Sequence, residues 1–305
     1  MFASIIEDVK QQFRQGNRIT RLIIFNTIAF IAVNLVKLGF TMMAGFQSGG
    51  GFEKFMSWLQ LSSDIVHDFT HPWVFITHMF LHLGFWHFLF NMLFLYWFGR
   101  IVADLIGDNK VYPLYLLSGI SGALIFLITA PLLYGGTIPA YGASAAVMGF
   151  VVASGVLAPD YVMRLLFLGD VKLKYIVFAL VLLDLFSIAN LSNTGGHFAH
   201  LGGAAFGWLF IVMLRQGSDL SLPVNRFLDW LGQLISGERK VPPKKKSRVF
   251  VRHVREKKGG RASDNTSAPG DDQSRIDAIL DKIKASGYES LTAEEKEFLF
   301  RASKK

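Results

Sequence analysis

No cysteine occurs among the 305 residues. That excludes a disulfide framework, a thiol nucleophile, an iron–sulfur cluster and any cysteine-type zinc site. Charge is scarce too: Asp, Glu, Lys and Arg make up 18% of the chain, against roughly 25% in an average soluble domain. No histidine is followed by glutamate, so the H-E-x-x-H motif of zinc proteases is missing. What is abundant is apolar: 51% hydrophobic residues, 14% aromatic and a mean hydropathy of +0.37. Lipid is therefore the expected solvent for part of the chain.

The formal charge of +8 is unevenly spread. Residues 1–214 carry 11 Lys and Arg against 10 Asp and Glu, whereas 215–305 carry 20 against 13. A bilayer core of about 30 Å needs about 20 apolar residues per helix, and six stretches meet or approach that length: 22–44, 86–98 extending toward 106, 113–133, 143–157, 175–189 and 198–214. Positive residues mark the cytoplasmic connections. They cluster at Lys10, Arg14, Arg18 and Arg21, at Arg100 and Lys110, and at Arg164, Lys172 and Lys174, while the alternate connections are almost bare of them. The expectation is an all-α polytopic membrane protein, a bundle of six transmembrane helices with both termini cytoplasmic. Residues 1–15 are polar and amphipathic and the first apolar run is long, which does not fit a secretory signal peptide.

The division expected is a tail at 1–17, a membrane domain at 18–214, an amphipathic segment with a basic linker at 215–270, and a small helical hairpin at 271–305. The first outer connection, 45–85, is rich in Phe and Trp and is expected to lie in the membrane interface. The linker, with Lys244, Lys245 and Lys246, is better matched to anionic lipid beside a membrane span than to nucleic acid, and no nucleic-acid partner is expected. Thr292 and Glu295 form a capping box that starts the hairpin's second helix.

Polar groups in hydrocarbon are costly, so clusters of them inside spans are functional candidates. Three stand out: His78, His82, His87 and Asn91 at the start of the second span; Gly142, Ser144 and Gly149 at the start of the fourth; Gly196, His197, His200, Gly203 and Gly207 opening the sixth. Acyl transfer needs a nucleophile, a base and donors for the oxyanion, which Ser144, His200 and the His87/Asn91 pair supply. Gly196, Gly203 and Gly207 make one face of the sixth helix smooth enough to approach the fourth. Asp184 is placed in the inner or middle part of the fifth span, which leaves a Ser–His dyad. Taken singly, the serine is a packing residue, the histidines interfacial and the asparagine helix–helix glue. Histidine spacings of three to five also permit zinc in principle.

Together, H-x-x-x-N at His87 to Asn91, G-x-S at Gly142 to Ser144 and A-H-x-x-G-x-x-x-G at Ala199 to Gly207 resemble the rhomboid family of intramembrane serine proteases over residues 18–214. The resemblance implies Ser144 as nucleophile and His200, not His197, as base. It implies His87, Asn91 and the Ser144 N–H as oxyanion donors, a membrane-embedded first loop, the fifth span as a gate, transmembrane protein substrates and no cofactor or metal. A cell membrane location follows, with a bacterial inner membrane expected. The hairpin resembles tails on rhomboid proteins of Bacteroidetes-type bacteria. Three positions depart from the family pattern: Ala145 stands where Gly is common, Met148 where an aromatic often stacks on the histidine, and Val74 where Arg often follows Trp73. The rival implied is a rhomboid-like protein that binds membrane helices without cutting them.

Overall fold

The computed structural model describes residues 2–45, 50–166, 168–188, 193–236, 271–286 and 291–302. They belong to two compact units, Met1–Lys240 and Val241–Lys305. In the first, an amphipathic helix α1 (Phe2–Gln15) precedes α2 (Arg18–Met43). Asn17 begins α2, because its side chain accepts from Thr20 N–H and so caps that helix. Three short helices follow, α3 (Gly51–Ser57), α4 (Ile65–Thr70) and α5 (Val74–Thr77). The remaining long elements are α6 (Phe85–Ile106), α7 (Val111–Leu133), α8 (Ser144–Leu157), α9 (Leu173–Ile188), α10 (Thr194–Arg215) and α11 (Ser221–Ser236). Two small antiparallel ladders complete the unit. β1 (Leu61–Ser62) pairs with β2 (Pro139–Ala140), and β3 (Val162–Leu165) with β4 (Gly169–Lys172).

Among the described residues α2, α6, α7 and α10 are long and apolar enough to cross a membrane, and α8 is a shorter apolar helix. Outward faces are as greasy as the core. On α2 only Ile19, Leu22, Asn26 and Val33 are buried, while Phe25, Ile28, Ile31, Leu35 and Leu38 are exposed. Such a surface is stable only in lipid. This is a multi-pass membrane protein with an all-α fold.

α8 sits at the centre of the bundle, packed by α6, α7 and α10, with Ala145 to Val151 and Ala153 all buried. Its 14 residues rise about 21 Å, less than the thickness of the hydrocarbon core. Irregular backbone therefore leads into α8 at membrane depth, where every polar group needs a partner. Gly142 N–H donates to His78 O at 2.9 Å, and Ala143 N–H to His82 Nε2 at 3.2 Å. The first loop is thus what holds the turn before Ser144. Within that loop Trp73 Nε1–H donates to Trp58 O at 2.6 Å, and β1 ties the loop to the segment before Ser144. Val74 is buried with Leu61, Ala123, Phe126 and Ala130 and serves as a packing residue.

At the opposite end, the buried Lys110 pairs with Asp219 and donates to Ser221 Oγ at 3.0 Å. α11 docks beside it through Asn225, which reaches Asn109 O and Arg18. The domain boundary expected at 214 falls inside this compact unit, which carries α11 and ends at Lys240. Burial pushes the Asp219 carboxyl up, but the Lys110 ammonium and the Ser221 donors outweigh it and hold it below its ordinary value. A depressed carboxylate contributes stability above its unfolded pKa, lost as pH falls through the folded value. Asp219→Asn should thus cost about 1 kcal/mol at neutral pH, a fall of about 2 to 4 °C in Tm. The gap to wild type should close in strong acid. Thermal unfolding in detergent across pH checks this, and a gap indifferent to pH would refute it.

In the second unit, α12 (Asp271–Ser286) and α13 (Ala293–Ala302) form the C-terminal helices. The capping box exists: Thr292 N–H donates to Glu295 Oε2 at 2.8 Å, and Glu295 N–H to Thr292 Oγ1 at 3.3 Å. Lys282 of α12 closes on the same glutamate. The basic linker, including Lys244 to Lys246, lies outside the described residues.

Candidate active site

Four helix ends meet on one side of the bundle: the starts of α6, α8 and α10 and the end of α9. They enclose a cavity of about 380 Å³ lined by His87, Asn91, Ser144, Met148, Asp184 and His200, with Leu180, Leu183 and Ser187 from α9 and Trp86 and Phe90 from α6. Ser144 is the first residue of α8 and His200 lies two turns into α10. Ser144 Oγ and His200 Nε2 are 2.6 Å apart, within reach of proton transfer.

That approach is made by missing side chains. A Cβ on Gly203 would run into the backbone of Ala145, and one on Gly207 into the backbone of Gly149. Gly149 in turn accommodates Ser118 of α7. The expectation fails for Gly196, whose nearest neighbour is the side chain of Asn193 at its own helix start. It sits one turn before His200, short of the level where α10 meets α8. Gly202, not singled out from the sequence, packs against Gly122 and Ile125 of α7. Gly122 also leaves room for the Ala145 methyl, so the extra carbon beside Ser144 has a place to go.

Gly142 is required twice over. Its φ of +126° is one that L side chains rarely adopt, and a Cβ there would crowd the His87 ring. His87 consequently lies against the turn that delivers Ser144. Asn91, 6% exposed, donates one Nδ2 hydrogen to His87 O at 2.7 Å. Its amide has a second hydrogen to offer the cavity. The amides of the first turn of α8 lack intrahelical acceptors and add positive potential at Ser144. His87, Asn91 and the start of α8 thus border the same cavity.

Asp184 needs correcting. It is the twelfth of sixteen residues in α9, about 6 Å from the helix end on the Ser144 side, not in the inner or middle part of the span. Its Oδ1 and Oδ2 lie 2.9 and 3.0 Å from His200 Nδ1, and Oδ1 is 2.5 Å from His197 Nδ1. The dyad expected from the sequence therefore has a carboxylate behind it. Asp184, four residues before the end of α9, and His200, in the second turn of α10, are brought together by the packing of α9 against α10.

Among the described residues, Asp184, His197 and His200 are also the one group of three His, Asp or Glu close enough to share an ion. His78 and His82 are engaged elsewhere: His78 Nδ1 bonds Val74 O at 2.9 Å, and His82 holds Ala143. The zinc alternative built on His78, His82 and His87 has no such cluster there.

A family model described as Rhomboid domain matches residues 70–217, and one described as a family of unknown function (DUF6576) matches 270–305. Rhomboid protease GluP of Bacillus subtilis (strain 168) is 30% identical over 137 residues, 45% of this chain and 25% of that protein. RHOMBOID-like protein 12, mitochondrial, of Arabidopsis thaliana is 29% identical over 155 residues, 47% of this chain and 46% of that protein. The rhomboid relative YdcA of Bacillus subtilis (strain 168) is 33% identical over 147 residues, 48% of this chain and 69% of that protein. The chain thus spans half or less of the first two relatives' length and over two thirds of the third's.

Proposed function

This chain belongs to the rhomboid family, and from that premise we propose that it is a serine endopeptidase that cuts transmembrane segments of other membrane proteins. Membership supports intramembrane proteolysis and substrates of that class. The observation that carries the reading to this chain's own residues is the 2.6 Å contact between Ser144 Oγ and His200 Nε2.

In this mechanism Ser144 Oγ attacks the substrate carbonyl while its proton passes to His200 Nε2. The oxyanion gathers donors from Asn91 Nδ2, His87 and the Ser144 N–H. His200 then protonates the leaving amine, and water, activated by the same imidazole, releases the acyl group from Ser144. Carbonyls within a helix are already hydrogen-bonded, so the substrate must unwind near the cut. Small or helix-weakening residues are expected there. A cavity of about 380 Å³ walled by Trp86, Phe90, Leu180 and Leu183 suits an extended, apolar strand of chain.

The reading places six spans, counting α8 and α9, and both ends of the chain in the cytoplasm of a bacterium, with the enzyme in the inner membrane. The Lys and Arg distribution supports that orientation, and the basic linker then lies against anionic lipid. No cofactor or metal is required.

Fluorophosphonate labelling of the detergent-solubilised protein tests the reading. Wild type should label and Ser144→Ala and His200→Ala should not, whereas Ser187→Ala, which removes the other serine lining the cavity, should label normally. If wild type neither labels nor cuts a transmembrane reporter, a helix-binding protein without catalysis takes its place.

A further inference from the structure

Ser144 and His200 are held together by α8 and α10, whose backbones meet at Gly203 and Gly207. α9 is attached differently. Leu173 and Asp184 are its buried residues, while Tyr175, Phe178, Leu183, Leu185 and Phe186 are exposed. Asp184 is therefore the main polar link between this helix and the site, and it lies at the end that borders the cavity.

A carboxylate only accepts hydrogen bonds, so at 2.9 and 3.0 Å it selects the His200 tautomer with the proton on Nδ1. Nε2 then presents its lone pair to Ser144 Oγ. The opposite tautomer would set a lone pair against the carboxylate and an N–H against the serine, and could take no proton from it. We propose that Asp184 is the positioning residue that fixes His200 in its base-competent tautomer, and that, being carried on α9, it completes the site only while α9 lies against α10. The proposal rests on the reading of Ser144 as nucleophile and His200 as base.

Withdrawing α9 would remove the carboxylate but not the Ser144–His200 approach, which α8 and α10 make. The same carboxylate stabilises the imidazolium that forms as Ser144 gives up its proton. His197 bonds the same Oδ1 but does not line the cavity. His200 Nδ1 also reaches Oδ2 at 3.0 Å, a carboxylate oxygen that His197 does not share.

The test uses the 305-residue chain in proteoliposomes with a transmembrane reporter, reading kcat and KM separately. Asp184→Asn should lower kcat by about 10²-fold or more while KM stays within about threefold of wild type. Asp184→Glu should recover about tenfold over Asp184→Asn, and His197→Ala should stay within about threefold of wild type. A second readout needs no activity: the downfield proton resonance of the His200 Nδ1–H in 15N-histidine-labelled Ser144→Ala protein. It should vanish when Asp184→Asn is added and persist with His197→Ala. The proposal is overturned if Asp184→Asn keeps kcat within about threefold, or if the resonance survives that change. It is equally overturned if Asp184→Glu is no better than Asp184→Ala and both lose thermal stability in step, which marks a purely structural role. Should wild type cut nothing, the protease reading fails, whereas the resonance still decides whether Asp184 holds His200.

Discussion

Ser144→Ala and His200→Ala should each cut turnover of a transmembrane reporter by about 10³-fold or more, roughly 4 kcal/mol of barrier, and the double variant should be no worse than either. The reason is that the two side chains perform one act. At 2.6 Å the hydroxyl and the imidazole share a single proton, so removing either partner removes the transfer. Independent contributions would multiply instead, which is the outcome that sinks the pairing. Asn91→Ala should be milder, about 10² to 10³-fold in kcat, because the helix-start amides remain to meet the oxyanion. Progress curves on the four variants at matched protein concentration, with circular dichroism to show the helices intact, separate these cases.

Much of the framework was readable in the sequence because lipid imposes a simple rule, long apolar helices with polar groups reserved for a purpose. The stretches expected at 86–98 extending toward 106, 113–133, 143–157 and 198–214 correspond to α6, α7, α8 and α10 within a few residues. The differences fall at the polar ends. α10 begins at Thr194 and α2 at Arg18, since helix termini extend into the interface until a capping group such as Asn17 stops them. Ser144, His200, His87 and Asn91 were also legible, because a polar residue inside a span needs a reason for being there. All four do converge on one cavity.

Tertiary meaning was harder to read. His78 and His82 look like ligands or catalytic groups in a linear string, yet they act by holding the turn before Ser144 through Gly142 and Ala143. The signal that could have flagged this was the shortness of α8, which demands a buried irregular approach whose backbone must be satisfied. From the sequence, Asp184 reads as an inner or mid-span charge. Counting its distance from the end of α9, four residues, would have put it beside the start of α10 and so beside His197 and His200.

The glycines of α10 separate position from composition most sharply, and they carry the second large effect. Gly203→Ala should reduce turnover by about 10²-fold and lower Tm by several degrees, whereas Gly196→Ala should change either by little. A methyl on Gly203 meets the backbone of Ala145, which cannot rotate away, so α8 and α10 must part. Overpacking of this kind costs about 1 to 3 kcal/mol, or several degrees in a domain of this size. Because Ala145 adjoins Ser144 and Gly203 lies three residues past His200, the separation is imposed directly on the reacting pair. A displacement near 1 Å there is worth about 10²-fold in rate. A methyl on Gly196 meets the Asn193 side chain instead, which can swing aside, and no interhelical distance changes. Measuring kcat and Tm for both variants tests the argument directly. Equal penalties at the two glycines would mean that loss of helix flexibility, not the α8–α10 approach, is what these positions protect.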